Sequence, residues 1–106
     1  MKNKEKSREE NLDQFNVLRK IDKMPGSSQR ELASELGFSL GKLNYCLKAL
    51  HGKGLLKINN FKKNKNKLGY LYILTPQGFS YKTRLTLNFM KRKMKEYDEL
   101  KQELEN

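Results

Sequence analysis

One helical stretch carries basic, amide and aromatic side chains at spacings that suit the binding of a polyanion. Between Leu40 and Leu50 leucines recur at three- and four-residue intervals, which is typical of a helix with one buried face. Each residue advances about 100° around a helix, so Lys42, Asn44 and Lys48 point away from that face. Lysines bind phosphates, and an asparagine amide can pair with the edge of a base. The helix is therefore predicted to present a surface for nucleic acid.

The distribution of charge along the chain favours this interpretation. The formal net charge is +11 and the pI is about 9.8. Fourteen lysines and arginines but no acidic residue lie between Leu36 and Lys95. Taken alone, the helix is equally consistent with a solvated face that lacks acids, and the charge segregation tips the balance toward an anionic partner. A membrane is a poorer partner, because no basic amphipathic helix has an apolar face free of a core role.

Start and stop signals around this stretch predict a helix-turn-helix. Ser28 and Glu31 form a capping box, in which the hydroxyl accepts from the Glu31 amide and the carboxylate reaches back to the Ser28 amide. The short helix ends at Gly37, since glycine takes the left-handed conformation without a Cβ clash. Ser39 is then the N-cap of the second helix, and Gly52 marks its end.

An amphipathic helix from Arg8 to about Lys23 is predicted to cover the helix-turn-helix. Its apolar residues recur every three positions: Leu12, Phe15, Leu18 and Ile21, with Val17 beside them. Residues 1–7 have nothing to bury, so we expect a disordered basic lead-in.

A lysine-tipped β-hairpin is predicted after the second motif helix. Residues 55–61 have a mixed but extended pattern, residues 70–74 are aromatic and β-branched, and the segment between them is too polar and self-repulsive to be buried. A hairpin in this position is a wing, whose lysines would meet phosphates beside the groove that the helix enters. The alternative is a plain solvated loop, and the preceding helix-turn-helix favours the wing.

A long helix is predicted from Pro76 to about Glu105, with Thr75 as its N-cap. Phe79 and Leu85 are expected to pack on the domain, whereas other apolar residues keep the three-four spacing of a helix that pairs with another helix. These predicted dimerisation residues are Leu87, Met90, Met94, Tyr97 and Leu104, with Phe89 and Leu100 widening the stripe. The alternative is that the long helix folds back on the first one.

Several function classes are disfavoured by what the sequence lacks. Cys46, the only cysteine, is expected to be a small buried side chain, and His51, the only histidine, a cation near a helix end. With no second cysteine, phosphate-binding glycine pattern or acid pair in the basic interval, we expect no enzyme, metal or cofactor. No transmembrane run and no apolar signal-peptide core are present, so we predict a cytoplasmic protein.

Residues 28–58 resemble the winged helix-turn-helix of MarR-type bacterial transcription regulators. The resemblance lies in residues 29–33 of the first motif helix, Gly37 in the turn, Leu43 in the second helix, and Leu50 with Gly54 before the wing. The segment 74–78 looks like the family's entry into the helix after the wing. More narrowly, residues 39–48 and 66–70 are similar to a short subgroup described as exopolysaccharide-associated, and the whole resemblance covers about residues 12–104.

This resemblance implies a dimeric repressor or activator that binds double-stranded DNA in a prokaryotic cytoplasm, at the nucleoid. Full-length family members are longer and hold effectors between their DNA-binding and dimerisation helices. This chain offers little material for such a pocket, so small-molecule sensing is not expected. The predicted fold class is mainly α with a small β-hairpin (α+β), with a lead-in at 1–7, a winged helix-turn-helix at 8–78 and a dimerisation helix at 79–106.

The predicted DNA-binding residues share a place at a helix N-terminus, on the outward helix face or at the hairpin tip. They are Gln29, Ser39, Leu40, Gly41, Lys42, Asn44, Tyr45, Lys48, Lys62, Lys63, Lys65 and Lys67. A homodimer would place two such helices on an inverted repeat. Two alternatives remain open: an RNA-binding winged helix, in which tyrosines would stack on bases, and a protein-interaction module.

Overall fold

The computed structural model describes residues 2–59 and 71–106, with the backbone alone for residues 2–7, 9, 10 and 59. In chain order the elements are α1 (Lys2–Lys23), α2 (Gln29–Leu36), α3 (Leu40–Gly52), β1 (Leu56–Asn59), β2 (Leu71–Leu74) and α4 (Pro76–Glu105). The two strands form an antiparallel ribbon. This is the predicted winged helix-turn-helix with a long C-terminal helix.

The predicted signals at the ends of α2 and α3 are confirmed. The Ser28 hydroxyl accepts from the Glu31 amide at 3.1 Å, and the Ser39 hydroxyl accepts from the Lys42 amide at 3.1 Å. Gly37 ends α2 with φ of 69°, in the left-handed region. One detail was wrong: the Glu31 carboxylate accepts from the Ser28 hydroxyl at 3.2 Å, rather than from the Ser28 amide.

The core forms where α3 packs against α1. Leu43, Leu47 and Leu50 of α3 are fully buried together with Val17 and Leu18 of α1. Burying each such side chain stabilises the fold by about 1.5–3 kcal/mol relative to leaving it in water. Because these leucines occupy one side of α3, the opposite side of the helix has to face outward.

Helix α1 differs from the prediction at two places. It begins at Lys2, so the backbone of residues 2–7, which we expected to be disordered, is helical. The segment is rich in lysine, which is a good helix former, and no stop signal separates it from the packed part of the helix. Leu12 is 42% exposed instead of buried. The neighbouring Gln14 is only 6% exposed and accepts a hydrogen bond from the Lys53 ammonium at 2.8 Å.

The ribbon is shorter in the described residues than the predicted strands. Leu56 pairs with Leu74, and Ile58 pairs with Tyr72. Leu56 and Leu74 are buried where the ribbon joins the core, while Ile58 is exposed. The predicted strand residues 60, 61 and 70 lie outside the described residues, so the tip of the hairpin stays a prediction.

Thr75 ties the base of the ribbon to the start of α4. Its hydroxyl donates to the Gly54 carbonyl at 2.7 Å and accepts from the Gly78 amide at 3.0 Å, as expected of an N-cap. Its own amide donates to the Leu55 carbonyl at 3.1 Å. That carbonyl lies so close to Gly78 that a Cβ atom there would be 2.1 Å from its oxygen. Residue 78 must therefore be glycine for α4 to leave the domain at this angle.

The first part of α4 packs along α1, so the fold-back alternative is correct for that part of the helix. Lys82 makes an ion pair with Asp22 of α1, and the ring of Phe89 lies 6.0 Å from that of Phe15. Two expectations were wrong here. Phe79 is 48% exposed instead of packed on the domain, and Phe89 faces α1 instead of widening the exposed stripe. The helix meets α1 through the face that carries Lys82 and Phe89, and Phe79 lies to one side of that face.

Replacing Gly78 with alanine should destabilise the protein. Alanine has the better helix propensity by about 1 kcal/mol, but its methyl group would collide with a backbone carbonyl that cannot rotate away. We expect the free energy of unfolding to fall by about 2 kcal/mol, measured by urea denaturation. Gly41→Ala is the matched control, because a Cβ at Gly41 meets nothing within 4 Å. A Gly78→Ala protein as stable as the control would contradict the close approach.

Candidate nucleic-acid interface

The outward face of α3 is where the sequence predicted it. Lys42, Asn44 and Lys48 are exposed, and Tyr45 is 59% exposed. The face combines two ammonium groups, one amide and one phenol on about two turns of helix. This set can neutralise phosphates and donate to or accept from base edges, and its rigidity comes from the buried leucines on the opposite side of the helix.

The N-terminus of α3 adds backbone donors to this face. Ser39, Leu40 and Gly41 are all exposed, and the first amides of a helix have no partner inside it. Such amides, with the positive end of the helix dipole, form a favourable environment for a phosphate. Gly41 has open space around its Cα, so a ligand can approach the backbone closely there. Gln29, at the start of α2, is half-buried.

Lys42 is held by two groups that the sequence analysis did not associate with it. Its ammonium lies 3.2 Å from an oxygen of Asp13 in α1 and 4.3 Å from the centre of the Phe38 ring. Both contacts stabilise a cation, one by charge and one by the negative face of the ring. Within the described residues Lys48 makes no ion pair. The two lysines of the outward face therefore differ: one is already paired inside the protein, and the other is available to an anion.

Asp13 is a residue of the candidate interface that sequence reasoning missed. It lies 29 positions before Lys42, outside the interval that has no acidic residues, and no local pattern links the two. Only the packing of α1 across α3 brings a carboxylate to the edge of the basic face. The acid-free interval of the sequence is therefore not matched by an acid-free surface.

The four lysines predicted at the wing tip lie outside the described residues. They are Lys62, Lys63, Lys65 and Lys67. The segment that holds them begins after Asn59 and ends before Leu71, which are the last and first described residues of β1 and β2. Its contribution to the interface remains a prediction.

The described part of the chain shows no other kind of site. It contains no group of three or more His, Cys, Asp or Glu side chains that could hold a metal ion. None of its helices has the length and apolar character needed to cross a bilayer.

Comparison with known proteins agrees with this geometry. Residues 14–57 match a family model described as winged helix-turn-helix DNA-binding, which covers α2, α3 and the α1 residues that pack on them. No curated protein matches the sequence. The structure resembles the transcriptional repressor CouR bound to p-coumaroyl-CoA, with a TM-score of 0.69 and 28% identity over 83% of this chain and 59% of that chain.

Two further solved structures extend the comparison. CouR bound to a 23-mer DNA duplex has a TM-score of 0.59 and 30% identity, over 66% of this chain and 48% of that one. MarR from Staphylococcus aureus, in complex with salicylate and kanamycin, has a TM-score of 0.64 and 23% identity, over 76% of this chain and 53% of that one. This chain thus spans about half of the length of the regulators it matches.

Removing the charge of Asp13 should strengthen binding to DNA of any sequence. On a bound duplex Asp13 would compete with phosphates for Lys42 and would repel the DNA backbone, so Asp13→Asn is expected to free one cation on this face. We expect the affinity for random duplex to rise by up to about tenfold at 0.1 M salt, and the slope of log affinity against log salt to steepen by about one.

The matched control for this prediction is Asp22→Asn. It makes the same change in net charge but releases Lys82, which lies on α4 and away from α3. Fluorescence anisotropy over a salt series compares the two variants. If Asp13→Asn gains no more affinity than Asp22→Asn, Asp13 does not compete for Lys42.

Proposed function

We propose that this winged helix-turn-helix protein of the MarR type regulates transcription by binding specific sites in double-stranded DNA. The observation that carries the proposal is the outward face of α3, where Lys42, Asn44, Tyr45 and Lys48 are exposed on a helix whose opposite side is locked in the core. A similar protein has been solved on a DNA duplex, which supports the same partner here.

In the proposed complex α3 enters the major groove with its N-terminal half leading. Asn44 makes paired hydrogen bonds to an adenine, and Lys48 reaches a guanine or a phosphate. The backbone amides at Ser39 and Gln29 hold phosphates at the two helix N-termini. The wing lysines bind the neighbouring backbone or minor groove, which sets the position of α3 without reading sequence.

We further propose that the protein acts as a homodimer on an inverted repeat. The exposed apolar residues on the C-terminal half of α4 support a pairing surface, since side chains of this kind are costly to leave in water. Two α3 helices in a symmetric dimer would read half-sites about 34–36 Å apart, one turn of DNA.

The regulated genes are proposed from the sequence alone. The similarity of residues 39–48 to the exopolysaccharide-associated subgroup supports exopolysaccharide genes as targets, in a prokaryotic cytoplasm at the nucleoid. Genome-wide mapping of binding sites tests this, and sites confined to unrelated genes would rule it out.

Asn44→Ala should reduce sequence-specific binding. Loss of a bidentate contact to one base is expected to cost about 1–3 kcal/mol on the preferred site and to relax preference at one base position. Site selection from a random duplex library, followed by anisotropy on the selected site, measures both effects. Asn88→Ala, an exposed asparagine of α4, is the control. Equal losses on selected and random duplex would show that Asn44 reads no base.

Lys65→Ala should weaken binding to all sequences alike. A wing lysine that meets a phosphate contributes charge but no base readout, so the salt slope should fall by about one while the selected site stays the same. Arg92→Ala on the exposed part of α4 is the charge-matched control. A change in the selected sequence, or no change in the salt slope, would count against a phosphate-binding wing.

Competition between nucleic acids separates the proposal from its rivals. A labelled inverted-repeat duplex should be displaced by unlabelled duplex and much less by single-stranded RNA. Preferential displacement by RNA would favour an RNA-binding winged helix. Failure to bind either at moderate salt would favour a protein-interaction module.

A further inference from the structure

The C-terminal half of α4 carries an apolar stripe that no described part of the chain covers. Every residue from 91 to 106 is exposed, and Leu104 is 90% exposed. A shallow groove runs beside the stripe from Leu87 to Gln102, with two lysines at one end and two carboxylates at the other. An exposed helix of about 15 residues is marginally stable in water on its own, so a partner along this face would stabilise it.

The stripe has the seven-residue repeat of a coiled coil. The first position of the repeat is occupied by Leu87, Met94 and Lys101, and the fourth position by Met90, Tyr97 and Leu104. Residues at these two positions form the seam along which two helices pack. The side of α4 that packs on the domain carries Lys82 and Phe89, and it lies well away from this seam around the helix. Both faces can therefore be used at once.

The charges on this half of α4 select the orientation of the partner. Residues 91–95 hold four cations and no anion, whereas residues 96–105 hold five carboxylates and one lysine. A parallel pair would align the basic segment of each helix with the basic segment of the other and would set Lys101 against its own copy in the seam, and the one favourable charge contact at its flank would be between Lys93 and Asp98 of the partner subunit. An antiparallel pair places the basic segment of each helix beside the acidic segment of the other, so the surface is complementary to itself.

We propose that the partner is a second copy of this chain, paired antiparallel along α4 with the two-fold axis between residues 95 and 96. This register puts Leu87 against Leu104 of the partner subunit and Met94 against Tyr97 of the partner subunit. At the flank of the seam Lys91 faces Asp98 of the partner subunit, and symmetry repeats the pair. The inference deepens the proposed homodimer and rests on it.

The same register suits the proposed DNA complex. With 1.5 Å per residue, the two copies of Lys82 lie about 40 Å apart along the helix pair and the two copies of Phe89 about 20 Å apart. Half-sites one turn of DNA apart lie at about 34–36 Å, so the two α3 helices can reach successive major grooves. The C-terminus of each helix lies beside Leu87 of the partner subunit, on a face of α4 away from the one that packs on the domain through Lys82 and Phe89.

A charge exchange tests the orientation. Lys91→Glu and Asp98→Lys each bring like charges together twice and should raise the dimer dissociation constant about tenfold at 50 mM salt. The double variant restores opposite charges and should recover most of the affinity. Arg92→Glu is the control, because it makes the same charge change on the outer side of the helix and should shift the constant by less than about threefold. Analytical ultracentrifugation measures the dimer dissociation constants of all four variants.

If the double variant does not recover the dimer affinity, the antiparallel arrangement is wrong. In a parallel pair Asp98 lies beside Lys93 of the partner subunit, so the exchange would leave two lysines together and add a second defect.

Cysteine cross-linking tests the register independently. In the proposed pair two copies of residue 104 lie about 25 Å apart, so oxidised Leu104→Cys should not form a covalent dimer. The double variant Leu87→Cys/Leu104→Cys should form one readily. Covalent dimers of the single variant would indicate a parallel pair, and their absence in both variants would overturn this seam.

Different results would overturn the antiparallel pairing and the proposed binding to DNA. A dimer with the expected charge-exchange behaviour that binds no duplex DNA would overturn the DNA-binding proposal and leave the pairing intact. A monomer that binds a half-site duplex would overturn the pairing alone.

Discussion

The packing of α3 against α1 is the constraint on which the rest of the structure depends. Three leucines of α3 are fully buried against Val17 and Leu18, and their position around the helix sets which residues face outward. Rotating α3 by one residue would expose leucines and bury lysines, at a cost of several kcal/mol for each unpaired charge. The core thus keeps Asn44 and Lys48 on the surface, and Lys42, on the same face, is also held there by Asp13 and Phe38.

Helix α1, which holds α3 in place, also lowers the positive charge on the outward face of α3. Asp13 of α1 reaches Lys42, while Gln14, the next residue, is buried and accepts a hydrogen bond from Lys53 just beyond the end of α3. One turn of α1 therefore contacts both ends of α3. A basic surface that binds phosphates too well would lose selectivity for its preferred sequence, and a nearby carboxylate reduces the affinity that all sequences share.

Two faces of helix α4 differ in their surroundings: one packs on the domain, and the other is exposed. Near its start Thr75 and Gly78 fix its direction against Leu55, and Lys82 and Phe89 attach it to α1. Beyond Phe89 the helix leaves the domain with its apolar stripe and segregated charges exposed. This helix begins at the base of the ribbon, so in the proposed dimer the distance between the two α3 helices would follow from how the two copies of α4 pair.

The sequence by itself determined the features that depend on neighbouring residues. Caps at Ser28, Ser39 and Thr75, the left-handed Gly37 and the buried face of α3 all follow from short-range hydrogen bonding and helical period. Only the tertiary structure decided which partly apolar residues are covered and which charges meet. Leu12 and Phe79 are exposed, Phe89 is packed, and Asp13 lies at Lys42, because these outcomes depend on how distant helices cross. Crossing geometry is set by the whole core and leaves no local pattern in the chain.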